Sequence, residues 1–350
     1  MPSNILITGG SGYLGGTLLA RMGNASLPPY NKLYALVRTD FQANAVKQYG
    51  AEPLQFDPKD ESTVRSSIIK NDITVVYHLI DPFTSESQVY MIKALAEVKK
   101  NTGQEVHFLH TSGAKLFSNH AGAPTDRPIL DTDPELFNVQ KSQESEFEVM
   151  QKAVNTNCTV IEQAEKYGVR GYIFVPCIVY GKGEGFGNPI SIQTVAIVRA
   201  AKTMKRVYKV DSGRPTWPVC HVIDNTTMYI ELLRKILLGE QPGYGKNGYY
   251  LASSGSVAWD YLYAALARAL GKRNVVAEDS VILANEENLE TMGKALGCPK
   301  EFVGVMLGGK CTFTAQHGEK ELGWKPIYSP DHILEAADAE VELILQNLKD

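Results

Sequence analysis

The chain has 350 residues, 44% of them hydrophobic and 21% charged, with a formal charge of -4. That length allows one large domain or a core with a lobe, and the composition excludes a disordered or collagen-like chain. The slight acidity gives no electrostatic reason to expect nucleic acid or an anionic membrane as partner, which leaves a small-molecule substrate as the expected one.

The apolar strand pattern begins within a few residues of Met1, with no room for a signal peptide, and no apolar run approaches the roughly 20 residues of a membrane helix. A cytoplasmic protein is expected. Five scattered cysteines (Cys158, Cys177, Cys220, Cys298, Cys311) form no CxxC pair, so neither zinc nor a disulfide framework is expected.

Along the chain, short apolar runs alternate with longer amphipathic stretches, the pattern of a parallel sheet with crossover helices. Strands are expected at Asn4 to Thr8, Leu33 to Arg38, Glu52 to Phe56, Thr74 to Leu79, Glu105 to Thr111, Arg170 to Pro176, Val219 to Val222 and Gly248 to Ala252. Helices are expected at Gly12 to Met22, Asp60 to Lys70, Ser87 to Asn101, a long stretch ending near Tyr167, and Asn225 to Gly239. From Ser256 onward helical spacing dominates, and Ser329-Pro330-Asp331 announces a last helix with proline at its first position. The fold class is α/β: a Rossmann doubly wound parallel sheet with a smaller, mostly helical C-terminal substrate lobe. Residues 1–178 with 217–252 form the dinucleotide-binding part, and residues 179–216 with 253–350 the lobe.

The stretch Ile5 to Gly16, ILITGGSGYLGG, places a glycine-rich turn between a strand and a helix. Gly9 permits the tight turn, Gly12 lets the backbone approach a pyrophosphate, and Gly15 allows helix to pack closely on strand. The helix N-terminus then offers free N–H groups and the positive end of its dipole to phosphate. At the end of the second strand, where an NAD site would carry a carboxylate, stands Arg38, whose guanidinium suits a 2'-phosphate and favours NADP(H). Asp57, just after the third strand, is a candidate for the adenine amine or a helix cap.

Six segments together, TGGSGYLGG (8–16), VVYHLID (75–81), HFLHTSGAKLF (107–117), VPCIVYGKGEG (175–185), CHVIDN (220–225) and KELGWKP (320–326), resemble the extended short-chain dehydrogenase/reductases. The chain looks closest to an atypical fungal branch of the NAD-dependent epimerase/dehydratase type. The resemblance covers nearly the whole chain and implies further cofactor contacts at Ser11, Tyr13, Leu14, Leu79, Thr111, Pro176 and Val179. It also implies dimerisation through the helices that flank the sheet, so a homodimer is one expected state, and a fungal origin would fit secondary metabolism.

Members of that family usually carry Tyr-x-x-x-Lys on the long helix after the fifth strand, the tyrosine giving a proton to the substrate carbonyl. Here none of the 17 tyrosines has a lysine four residues on. FNVQK aligns Phe137 and Lys141 with the pair, whereas EVMQK aligns Glu148 and Lys152. The family hydroxyl falls to Ser112 or is lost at Gly113. Lys115 resembles a lysine kept by plant enone reductases, and Tyr180 lies in a loop that the family places near the nicotinamide. His120 and His221 are weaker candidates, and the glycine-rich segment 181–189 reads as a mobile loop over the site.

The expected activity is NADP(H)-dependent reduction of a small hydrophobic carbonyl, enone or imine, with a proton from Lys115, Tyr180 or water. The missing tyrosine keeps open a non-redox lyase, isomerase or cyclase on the same fold, and a dinucleotide-sensing regulator.

Overall fold

The computed structural model describes residues 2–348. Among these, seven strands form one sheet: β1 (Asn4–Ile7), β2 (Lys32–Leu36), β3 (Glu52–Leu54), β4 (Ile73–His78), β5 (His107–Thr111), β6 (Arg170–Pro176) and β7 (Tyr249–Ala252). Their spatial order is β3-β2-β1-β4-β5-β6-β7, and every pairing is parallel. This is the doubly wound Rossmann arrangement, with its switch point between β1 and β4.

Parallel strands need helical crossovers, so both sheet faces are covered and the central strands read as unbroken apolar runs. All six residues of β4 and all four of β1 are buried. Alternation divides their side chains between two cores. Leu6, Val76, Phe108 and Ile173 face one cluster, which includes residues of α3 (Glu61–Lys70), α4 (Glu86–Thr102) and α6 (Glu148–Tyr167). Ile5, Ile7, Val75, Tyr77 and Phe174 face the other, with residues of α1 (Tyr13–Met22), α2 (Asp40–Lys47) and α8 (Val222–Leu237). One further helix matters below, α5 (Leu136–Lys141), and α7 (Gln193–Met204) precedes α8 in the chain.

The strand expected at Val219 to Val222 lies outside this sheet. Strand Thr216–His221 is instead the centre of a separate three-stranded sheet, parallel to Ile178–Tyr180 and antiparallel to Gly255–Ala258. A short apolar run marks a buried strand but not which sheet takes it. The last helix also differs: Pro330 lies in a turn, His332–Glu335 is one short helix, and Ala337–Asn347 follows. Helix α2 was absent from the expectations altogether.

The lobe and the sheet share one core. A single apolar cluster contains Phe108 and Ile173 of the sheet together with Trp217, Trp259, Val303 and Ile344, and Ile129–Leu130 pairs with Phe313–Thr314. None of the described helices is long and apolar enough to cross a membrane.

Candidate functional site

The C-terminal edges of β1, β2, β4, β5 and β6 meet at one rim, the place where an open α/β sheet binds its ligand. The glycine turn lies there. Gly9 adopts φ +72, and a Cβ on it would come 2.7 Å from the Leu79 carbonyl oxygen. A Cβ on Gly15 would come 2.4 Å from the Gly9 oxygen, so helix and turn require both glycines. At Gly12 a Cβ would meet only the Gly9 oxygen, at 3.1 Å, and that side of the turn is otherwise open. No side chain caps α1 and its first turn carries no acid, which leaves its N–H groups and dipole for an anion. The residues fit a dinucleotide pyrophosphate.

Around the turn, Leu79 N–H donates to Thr8 Oγ1 at 2.9 Å, which ties β4 to β1. Tyr13, Leu14, Val179 and Val222 pack in one small cluster, and Pro176 ends β6 in buried surroundings. Arg38 is exposed at the end of β2. Asp57 is also exposed and accepts from Lys59 N–H at 2.9 Å, whereas the cap of α3 is Asp60.

A residue that sequence reasoning missed joins these parts: Gln42 accepts from Arg38 N–H at 2.8 Å and donates to Ser11 Oγ at 3.2 Å. The signal was present, since Thr39-x-x-Gln42 is a capping-box pattern, and Thr39 Oγ1 does accept from Gln42 N–H.

The glycine-rich segment 181–188 is clasped to α1, not loose above the site. Tyr13 Oη donates to the Gly181 oxygen at 2.6 Å, Glu184 N–H donates to Thr17 Oγ1 at 3.1 Å, and Asn188 N–H donates to the Ser11 oxygen at 3.0 Å. A Cβ on Gly185 would come 2.5 Å from Gly16 Cα, and one on Gly187 only 2.0 Å from the Ser11 oxygen. Phe186 rests against Phe41 and Tyr49 of the α2 region, at ring distances of 6.2 and 6.3 Å.

A model of the NAD dependent epimerase/dehydratase family matches residues 5–244. The chain belongs to that family. No curated protein matches the sequence. Among solved structures, the chain is similar to UDP-glucose 4-epimerase from Bifidobacterium longum, solved with NAD+ and UDP, at 15% identity and TM-score 0.62 over 99% of each chain. It is also similar to dTDP-glucose 4,6-dehydratase from Bacillus anthracis, solved with NAD, at 13% identity and TM-score 0.65 over 99% of this chain and 97% of that one. At these identities the similarity shows the fold.

In this epimerase/dehydratase-family chain the expected lysines stand outside the rim. Lys141 Nζ donates to Glu162 at 2.5 Å, about 20 Å down α6 from Glu148. Helix α6 ends just before β6 begins, so its C-terminal half, and Lys141 with it, lies at the opposite edge of the sheet. Phe137 is buried on the same short helix. Lys152 sits in the first turns of α6, but its amine is exposed and paired with Glu148 at 2.7 Å. The inward positions of α6 (Met150, Ala153, Val154, Asn157) carry no tyrosine or lysine. Amphipathic phase decides this, because the outward positions are those that carry charge.

The two hydroxyls closing β5 differ. Thr111 Oγ1 is 2.8 Å from the buried Tyr229 Oη, whereas Ser112 Oγ is buried with no partner among the described residues. Lys115 follows in the turn Ala114–Phe117. The lobe holds that turn: the Cys311 thiol donates to the Ala114 and Phe117 oxygens at 3.6 and 3.5 Å, and Ser118 bridges Cys311. Burial pushes the Lys115 amine down to about 8, against a smaller opposing effect of Cys298.

Tyr180 is engaged by two histidines. Its hydroxyl is 3.0 Å from His332 Nδ1, its ring lies 5.1 Å from His221, and burial raises its pKa well above the ordinary phenol value. His221 caps α8 by accepting from Ile223 N–H at 3.3 Å, and burial lowers it to about 4. His120 lies beside Asp211 and Gly309, with Nε2 buried and unpartnered among the described residues, and burial lowers its pKa.

Proposed function

We propose that the protein is an NADP(H)-dependent oxidoreductase that reduces a small, hydrophobic carbonyl, enone or imine. The observation that carries this reading is the place of Lys115 in the turn that leaves β5, held against the lobe by Cys311, where burial pushes its amine down to about 8. A pKa near the working pH suits a general acid. The usual tyrosine has no counterpart on the inward face of α6.

A dinucleotide bound at the rim would supply the hydride for the substrate carbon. Gly9 to Leu14 would hold its pyrophosphate through backbone N–H groups, and Arg38 its 2'-phosphate. Lys115 in its ammonium form gives a proton to the substrate oxygen, nitrogen or enolate and is left as the neutral amine. Ser112 Oγ has a free hydrogen bond to hold the same polar atom. An enone or imine suits this arrangement because its reduction depends less on a phenol donor. The turn that carries Lys115 is held against the helical lobe through Cys311, and apolar walls there would suit a hydrophobic substrate. A role in secondary metabolism belongs to the same proposal.

The test is incubation with 4-deuterated NADPH and a panel of carbonyls, enones and imines, read by mass spectrometry. Deuterium in a product supports the reading. Turnover without deuterium transfer would replace it with a lyase or isomerase, and nucleotide binding without any turnover would replace it with a sensor.

A further inference from the structure

We infer that Gln42 is a positioning residue that sets the choice between NADP(H) and NAD(H), by holding the Arg38 end of β2 in register with the glycine turn. The inference rests on the NADP(H) reading above. The starting observation is one side chain with two partners on different elements. Its carbonyl oxygen accepts from Arg38 N–H at 2.8 Å, and its amide nitrogen donates to Ser11 Oγ at 3.2 Å.

A capping role explains only part of this. Gln42 is the third residue of α2, and in a capping box its side chain would return to the N–H of the cap residue, Thr39. Here it reaches one residue further back, to Arg38, and spends its second hydrogen bond outside the helix, on the turn between β1 and α1. Helix α2 needs neither bond for its own start, because Thr39 Oγ1 already accepts from Gln42 N–H at 3.2 Å. The Arg38 side chain is exposed, with no ion-pair partner among the described residues, so nothing but the backbone at this point directs it.

The link is short and mechanical. Ser11 is held from its other side by Asn188 N–H, which donates to the Ser11 oxygen at 3.0 Å. Gln42 therefore ties the end of β2 to a fixed point. The gap it spans lies between the residues that would take the pyrophosphate and the residue that would take the 2'-phosphate. A neutral carboxamide tolerates a phosphate beside it, whereas a carboxylate there would repel the phosphate and accept from a ribose 2'-hydroxyl.

The experiment measures NADPH and NADH dissociation constants by calorimetry for the wild type, Gln42→Ala, Gln42→Glu and Ser11→Ala, with Tm and kcat at saturating nucleotide alongside. Gln42→Ala is expected to weaken NADPH by about tenfold and NADH by less than about twofold, with kcat unchanged. Ser11→Ala should move the ratio in the same direction, and Gln42→Glu should reverse the preference in favour of NADH. If all three variants leave the NADPH to NADH ratio at its wild-type value, with or without a fall in Tm, Gln42 is only a helix cap and the inference is overturned. If the wild type itself binds neither nucleotide, or binds NADH better, the underlying NADP(H) reading fails instead.

Discussion

Arg21 on α1 donates two hydrogen bonds to Glu184 in the glycine-rich segment, at 2.7 Å from Nε and 2.8 Å from Nη2. Both side chains are more than a third exposed, and an exposed ion pair of this kind contributes little. The segment is held more firmly by glycine backbones lying on backbone: Gly185 on Gly16 and Gly187 on Ser11. We therefore expect Glu184→Gln to leave the Tm nearly unchanged. Gly187→Ala, whose new methyl would overlap the Ser11 carbonyl, should cost about 2 kcal/mol and lower the Tm by about 4 °C. Scanning fluorimetry on the two variants decides between the ion pair and the close packing.

Lys115 gives a pH dependence of definite sign. As a proton donor it acts in its charged form, so kcat/KM should be level below about pH 8 and fall above it. Lys115→Met should lose about 10²- to 10⁴-fold in kcat, and Lys115→Arg should remove the break near pH 8. Stability moves the other way. With a folded pKa of about 8 against an ordinary 10.5, the buried charge is penalised in full below pH 8 and not at all above the unfolded value. Lys115→Met is thus expected to raise the Tm at pH 7, by an amount that shrinks as pH rises from 8 towards 10.5.

Tyr180→Phe separates the two candidate donors. The phenol is engaged with His332 at 3.0 Å, and burial raises its pKa, which makes it a poor acid at neutral pH. Steady-state kinetics should show less than about a threefold change in kcat, against the loss of about 10² or more expected at Lys115. A comparable loss at both positions would move the donor role to Tyr180.

The extent to which the site was legible follows from which signals are local. The strand, turn and helix at 4–22 and the alternation of β4 through β6 depend on neighbours in sequence, so the glycine turn and the strands of the parallel sheet were readable from them, whereas the separate sheet that takes Thr216–His221 was not. Lys141 and Lys152 were not assignable, because motif spacing does not reveal that α5 folds against the far end of α6 or which side of α6 faces the sheet. The packing of segment 181–188 onto α1, and the link from Gln42 to Ser11, are contacts between residues about 30 to 170 apart in sequence. A glycine every second residue from Gly181 to Gly187 was visible, and it means close backbone contact as readily as mobility.

Asp131 shows a long-range tie of a structural kind. Its carboxylate accepts from Gln316 N–H at 2.7 Å, His317 N–H at 3.0 Å and Leu251 N–H at 3.2 Å, which joins the KELGWKP region to β7. Asp131→Ala would leave two buried donors and one half-buried donor without a partner and should cost about 3 kcal/mol. Urea denaturation measures it, and an effect below about 1 kcal/mol would show that the three donors find other partners.

We propose that the rim above β1, with Arg38 beside it, takes a 2'-phosphorylated dinucleotide. Titration calorimetry of the purified protein with NADPH and NADP+ tests it most directly. Saturable one-to-one binding is expected, tighter than that of NADH and weakened when Arg38 is replaced by alanine. Absence of any binding heat at millimolar NADPH and NADP+, from a protein shown to be folded, would contradict it.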